Sequence, residues 1–437
     1  AQQVLDQQPE RIRSFLLKSS LLGEFDADLC RAVFGPGEDW GECIDFILKS
    51  NLFVTPIGDL GRWIRYHHLF SNFLQDRMQR EQSEETERIF RRLAEVYRER
   101  GDWEQVYQTL RRMGDHAAIS DLIGEIGSDL LKEGRIALLR EWIEALPPSE
   151  VNTHPRIQSL LGTILFTEGK QDEGLILLGN AADTQRSGED LAGFVTTLHR
   201  QASALRMVGK FNDALKNAEE ARRLAEKDPS MLASEATAIR EIGVNHYHQG
   251  NLKVAIESLD RALRIFEKLD DSQSAALVKM ELGLAFAEQG EYRKALSNYQ
   301  QVLEYWRSRQ NPIQQAPLLN NMGVLYHTIG EYAQANHYFE QALQYARKNH
   351  VARMEAYILA GIGDLYTDLE AYPAAHQAYA TAIELSHNLN DRYLQFYLLV
   401  SEAKLAIREG RFDAAERLLK GADGEGEEDE NDSRYNQ

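Results

Sequence analysis

The sequence predicts an all-α chain: a right-handed superhelix of about seven 40-residue helical hairpins, preceded by a winged-helix domain and a helical arm. Three observations carry that reading. The opening 80 residues read as short helices ahead of a β-hairpin, a turn glycine then recurs at a nearly constant step, and small residues keep fixed offsets on either side of it.

Taken in order, Pro9 starts a helix whose apolar face is Ile12, Phe15, Leu16 and Leu22, and Asp26 caps a second helix through Val33. A third runs from Trp40 to Lys49. The stretch LFVTPIGDLGRWIRYHHLF then gives a strand over 52–57, a Gly-Asp-Leu-Gly turn, a strand over 62–66 and a helix from His67 onward. Three helices and a two-stranded wing describe a winged helix over residues 1–80. Such a module reads DNA through its third helix, yet here that helix, DWGECIDFILKS, is acidic and apolar with Lys49 as its single base. Packing, not DNA reading, is the expectation. Residues 81–152 follow as a helical arm.

From residue 153 the repeat takes over. The turn residue is Gly169, Gly209, Gly250, Gly290, Gly330, Glu370 and Gly410, in steps of 40 or 41. Seven residues before it stand Gly162, Ala202, Gly243, Gly283, Gly323, Gly363 and Ala403; five after it stand Gly174, Ala214, Ala255, Ala295, Ala335, Ala375 and Ala415. Small residues midway along a first helix and early in a second let two backbones approach, and the glycine between supplies the turn. Rings nine residues after the turn, Tyr299, Phe339 and Tyr379, are placed to fill the holes those small residues leave. This spacing resembles the tetratricopeptide repeat, lengthened by about six residues per unit, so each helix reaches about five turns. The superhelix spans 153–422, and 423–437 form an acidic tail that composition marks as disordered.

Composition narrows the function classes. The chain of 437 residues carries 49 Lys and Arg against 68 Asp and Glu, a net charge of −19 that opposes non-specific attachment to nucleic acid or anionic lipid. No apolar run is long enough to cross a bilayer and no secretory signal is visible, so the expectation is a cytoplasmic protein with no membrane contact and no direct nucleic-acid binding. Cys30 and Cys43 are too few for a disulfide framework and sit among apolar neighbours as inert thiols. No G-x-x-x-x-G-K-[ST] occurs, and Gly169-Lys170 and Gly209-Lys210 are repeat turns. His246 and His248 lie two apart on a helix, about 200° around its axis, and cannot share a metal. The chain therefore reads as no enzyme, with no catalytic residues, no metal site and no cofactor of its own.

Function is expected on the first helices, at the positions facing inward: His199, Arg206, Arg240, Tyr247, His248, Asn320, His327, Tyr357, Asp364 and Lys404, with Asn321 beside them. Donors, acceptors and rings mixed in this way suit a peptide backbone or a polar small molecule.

The runs LDQQPERIRSFLLKSSLL, LFVTPIGDLGRWIRYHHLFSNFLQDRM, LAEVYRERGDWEQVYQTLRRMGD, LLKEGRIALLREWIEALPP and HPRIQSLLGTILFTEGKQDEGL resemble the MalT-type STAND regulators, signal-transducing ATPases with numerous domains. The resemblance covers residues 1 to about 190, and the repeats continue it generically. It implies a chain that begins at the winged helix of a longer protein, with a nucleotide-binding domain of the same polypeptide as partner, ATP or ADP as that intact protein's cofactor, and an inducer in the repeat groove. It also implies that His67, in Tyr66-His67-His68-Leu69, touches the β-phosphate of ADP at rest. The two function classes are then the sensor and autoinhibitory portion of such a regulator, which controls transcription, and a stand-alone scaffold that binds a protein or peptide without nucleotide control.

Overall fold

The computed structural model describes residues 1–57, 63–309, 312–349, 351–389 and 392–427. Two compact units divide the chain between Leu161 and Gly162, nine residues beyond the boundary expected from sequence.

The first unit opens with α1 (Gln2–Asp6), α2 (Glu10–Ser19), α3 (Ala27–Phe34) and α4 (Trp40–Lys49). Asp26 caps its helix as expected, its carboxylate accepting from the Leu29 amide at 2.7 Å, and Asp39 caps α4 by accepting from the Glu42 amide at 3.1 Å. Phe15, Phe25, Leu29, Ile64 and Tyr66 make the core, and the Tyr66 hydroxyl is satisfied by Ser19 at 2.7 Å. Both cysteines are free and buried, and burial pushes the Cys30 thiol up.

The wing is larger than expected. Besides β2 (Val54–Ile57) and β3 (Trp63–Tyr66), a two-residue strand β1 (Glu24–Phe25) joins them, giving a three-stranded antiparallel sheet in the order β1-β3-β2. Phe25 pairs with Ile64, and Val54 with Tyr66. The Gly-Asp-Leu-Gly turn lies outside the described residues. Helix α5 (His68–Glu81) completes the winged helix, and the arm consists of α6 (Ser83–Arg100), α7 (Trp103–Met113), α8 (His116–Lys132), α9 (Ile136–Glu144) and α10 (Pro148–Thr153), with Tyr107 stacked on Trp142 at 4.3 Å between ring centres.

The rest is helical hairpins: α11 (Pro155–Thr167) with α12 (Gln171–Arg186), α13 (Leu191–Met207) with α14 (Phe211–Ala225), α15 (Leu232–His248) with α16 (Leu252–Lys268), α17 (Ser272–Glu288) with α18 (Tyr292–Ser308), α19 (Pro312–Thr328) with α20 (Tyr332–Lys348), α21 (Ala352–Asp368) with α22 (Tyr372–Asn388), and α23 (Arg392–Arg408) with α24 (Phe412–Glu427). Most of these helices have 17 residues, the five turns inferred from the 40-residue period. The last helix reaches Glu427, so the first residues of the expected tail are helical, and 428–437 lie outside the described residues.

Each turn closes as the glycine register requires. Gly290 has φ 79°, its amide bonds to the Ala287 carbonyl at 3.0 Å, and the Glu291 amide reaches back to Phe286 at 2.8 Å. The small positions are places of contact, not tolerance: a Cβ built on Gly283 would stand 2.2 Å from Tyr299, on Gly323 2.6 Å from Phe339, and on Gly363 2.3 Å from Tyr379. These three rings are buried to within 1% and knit α17 to α22 into one continuous core.

Candidate ligand-binding groove

The first helices of successive hairpins lie against one another, α13 with α15, α15 with α17, α17 with α19, α19 with α21 and α21 with α23. They form one wall of the repeat unit, and the second helices lie behind it, each packed on the first helix of the next hairpin. Residues predicted for the groove divide into two groups along this wall.

The first group sits on α13, α15 and α17. Arg240 grips Glu281 of the next hairpin through both guanidinium arms, with Nε donating at 2.8 Å, and its third nitrogen lies 3.4 Å from Glu241. Arg206 approaches Glu241 from the other side, with Nε 3.6 Å from the carboxylate. The result is an alternating row, Arg206, Glu241, Arg240, Glu281, crossing three hairpins. Burial raises the Glu281 carboxyl, and the Arg240 guanidinium opposes that rise. His199 stands on the same face as Arg206, two turns earlier, where burial pushes its imidazole down to about 4 despite the nearby Glu241, so the ring is neutral near pH 7. The Ser234 backbone also favours its charged form, but less than burial disfavours it. Tyr247 is half-buried, and His248 is exposed with its ring stacked on Phe211, 5.7 Å between centres.

The second group sits on α19, α21 and α23. His327 bonds Asp368 at 2.9 Å, and Arg408 lies 3.5 Å from the other oxygen of that carboxylate. Asp364 accepts from the Tyr379 hydroxyl at 2.7 Å and from that of Tyr397. Asn320 keeps a buried carbonyl oxygen without a partner, and Asn321 is half-buried beside it. The Arg353 guanidinium lies over the Tyr357 ring at 5.9 Å. Lys404 is exposed and joins no ion pair among the described residues. Exposed apolar rungs, Met207, Val324 and Ile407, alternate with these polar groups on the first helices. A wall of this kind suits recognition of a molecule with both polar and apolar parts.

Sequence reasoning missed Glu241, Glu281 and Asp368. A signal for them exists: in a 40-residue repeat a side chain meets its counterpart about 41 positions on, and Arg240 to Glu281 and His327 to Asp368 are opposite partners at that separation.

In the first unit, His67 caps α5. Its Nδ1 accepts from the Leu69 amide at 3.4 Å, its own backbone N–H donates to the Phe53 carbonyl at 2.7 Å, and its exposed ring lies tilted against His68, 4.4 Å between centres. An exposed imidazole at a helix N-terminus is placed where an anion would be favoured.

With this geometry in hand, the comparisons with known proteins are decisive about family. Residues 1–86 match the MalT winged helix domain, residues 235–431 match the MalT-like TPR region, and residues 199–270 also match a tetratricopeptide repeat. The chain belongs to the MalT-like family. Its fold is similar to that of a Signal Transduction ATPase with Numerous Domains (STAND) protein with a tetratricopeptide repeat sensor from Pyrococcus horikoshii, at 16% identity and a TM-score of 0.68, covering 97% of this chain and 64% of that one. The MalT-like chain thus spans under two thirds of that protein. It is also similar in fold to a Rap protein complexed with Competence and Sporulation Factor, at 14% identity and a TM-score of 0.54, covering 96% and 99% of the two chains. A third likeness, at 17% identity and a TM-score of 0.52, is to the Rap conjugation gene regulator of the plasmid pLS20 in complex with the Phr* peptide, covering 64% of this chain and 76% of that one. Among the described residues no helix is long and apolar enough to cross a membrane.

Proposed function

We propose that this chain is the sensor and autoinhibitory region of a STAND-type ATPase regulator. The first-helix wall receives an inducer, and the winged helix and arm relay its arrival to a nucleotide-binding domain of the same polypeptide, which holds ADP at rest and controls transcription once released. His67 is the residue of this chain that meets the ADP phosphate in that resting state. The observation that carries the reading is the pairing, within one MalT-like chain, of a mixed polar and apolar inner wall with an exposed imidazole at the N-terminus of α5. A switch of this kind needs an inducer with different affinity for the two states. Moving the equilibrium from 1:99 to 99:1 takes about 5.5 kcal/mol of that difference.

The test is ADP retention by the intact protein carrying this region, wild type against His67→Ala. Faster ADP release from the variant is expected, and equal release rates refute the role of His67. The second reading, a scaffold without nucleotide control, is supported by the likeness to the Rap conjugation gene regulator in complex with the Phr* peptide. It predicts that the encoding gene has no Walker-A-bearing domain in frame, whereas the regulator reading requires one.

A further inference from the structure

Among the described residues, four that are not glycine hold left-handed backbone: Asn51 (φ 50°), Phe53 (φ 56°), Asp270 (φ 55°) and Glu370 (φ 57°). Three of them end helices. Asn51 follows the C-cap of α4, with its amide on the Leu48 carbonyl and the Leu52 amide on that of Ile47, both at 3.1 Å, and Asp270 and Glu370 follow the C-caps of α16 and α21 in the same way. Phe53 ends no helix. It stands one residue ahead of β2, and left-handed backbone is costly for a bulky side chain, so its surroundings must over-determine it. Burial is not the reason, because Phe53 is 49% exposed.

What holds Phe53 lies on both sides of His67. The Phe53 carbonyl accepts from the His67 amide at 2.7 Å, which extends the β2–β3 ladder one step beyond the Val54–Tyr66 pair. The Phe53 ring lies 5.1 Å from that of buried Phe70, and the Phe70 amide donates to the His67 carbonyl at 2.9 Å. His67 is thus fixed at its N–H by Phe53 directly, and at its carbonyl by the helical turn on which the Phe53 ring rests. Its imidazole is fixed as well: an amide only donates, so the Nδ1 that accepts from Leu69 offers its lone pair, and in the neutral ring the proton is on Nε2. We infer that Phe53 is a positioning residue for His67: its left-handed turn and its ring on Phe70 hold the imidazole so that Nε2–H is the donor offered to a phosphate. The inference rests on the His67 reading above and adds the device that sets the donor before the anion arrives, when less conformational freedom is left to lose.

The experiment has two arms. In the full chain, amide hydrogen exchange is followed at His67 and, as a control on the fold of the winged helix, at Cys30, whose amide donates to the Asp26 carbonyl at 3.1 Å. Phe53→Ala is expected to speed exchange at His67 by about tenfold, the worth of one hydrogen bond, with Cys30 unchanged. Phe53→Tyr, which keeps the ring on Phe70, is expected to match the wild type. In the intact protein carrying this region, Phe53→Ala is expected to release ADP roughly threefold faster or more, through the freedom of one side chain no longer held in advance. Phe53→Tyr restores the wild-type rate, and Phe53→Ala adds nothing once His67→Ala is in place. Should Phe53→Ala also loosen Cys30, Phe53→Gly is read in its place, since glycine takes the left-handed turn without steric cost and lacks only the ring. The inference is overturned by unchanged exchange at His67, by equal effects of Phe53→Ala and Phe53→Tyr, by ADP release that His67→Ala speeds and Phe53→Ala does not, or by a speeding from Phe53→Ala that persists without His67. If His67→Ala itself leaves ADP release at the wild-type rate, the reading of His67 has failed, and exchange at His67 still decides whether Phe53 holds it.

Discussion

Gly283→Ala isolates the packing rule on which the repeat stands. The added Cβ would lie 2.2 Å from Cε1 of Tyr299 and 2.9 Å from Cζ, whereas carbon atoms rest at about 3.5–4.0 Å. The ring must therefore retreat by more than ~1 Å, inside a core where Tyr299 is 1% exposed. Overpacking of that size costs about 1–3 kcal/mol. Alanine in place of glycine in mid-helix returns about 0.8–1 kcal/mol of helix propensity, so the net loss is up to roughly 2 kcal/mol. The same substitution with Tyr299→Ala in place meets no ring and stabilises by up to about 1 kcal/mol relative to that background. A precedent stands in the chain itself, where Ala202 and Ala218 occupy the equivalent places, both fully buried. The coupling energy of the cycle is then about 1–3 kcal/mol. Repeat arrays unfold by segments, so hydrogen exchange of α17 and α18 amides is the appropriate readout, with urea midpoints beside it. If Gly283→Ala is neutral or stabilising while Tyr299 is present, the small-residue register is not set by ring contact and the argument fails.

Other perturbations test other parts. Arg240→Ala strands the Glu281 carboxylate and is expected to destabilise by about 3–5 kcal/mol. Glu281 already has a raised folded-state value, and losing Arg240 raises it further, so the variant gains stability as pH falls and loses it as pH rises through that value. Equal deficits at pH 5 and pH 8 in urea would contradict this. His199 binds its proton more weakly folded than unfolded, with a folded value of about 4 against 6.5. Its contribution is therefore complete above pH 6.5 and is lost as pH falls toward 4, by up to about 3 kcal/mol. His199→Gln is expected to flatten the wild-type decline across that window, and parallel pH curves would refute the assignment. Glu370 holds the left-handed turn geometry, φ 57°, that glycine holds in the other turns of its register. Glu370→Gly relieves about 1–2 kcal/mol of strain against roughly 0.4–1 kcal/mol of unfolded-chain freedom; a lower urea midpoint would count against that balance.

What was legible in the sequence follows from how far each signal reaches along the chain. The hairpins were legible because close approach of two backbones tolerates nothing larger than alanine, and that intolerance is printed at every repeat, from Gly162 and Gly174 to Ala403 and Ala415. The helix cap Asp26 was legible from its position at the start of an apolar-periodic stretch. Strand β1 was not, because two residues show no periodicity and Glu24 finds its partner Arg65 only through the fold. The end of α24 escaped as well, since acidic and glycine-rich composition reads as tail although the helix continues through Glu427.

The groove was half legible, and the half that escaped has a physical reason. Counting helical faces finds residues that look into the wall, such as His199 and Arg206. It passes over Glu241 and Glu281, which sit one step around the helix at the seam between neighbouring first helices. At that seam a carboxylate is buried to 4–12% exposure only because an arginine from the adjoining hairpin arrives to meet it. Such a pair ties the position of one hairpin to the next. Moving Arg206 away from Glu241 would therefore disturb the stacking of α13 against α15, so this ion-pair seam couples the position of one hairpin to that of the next.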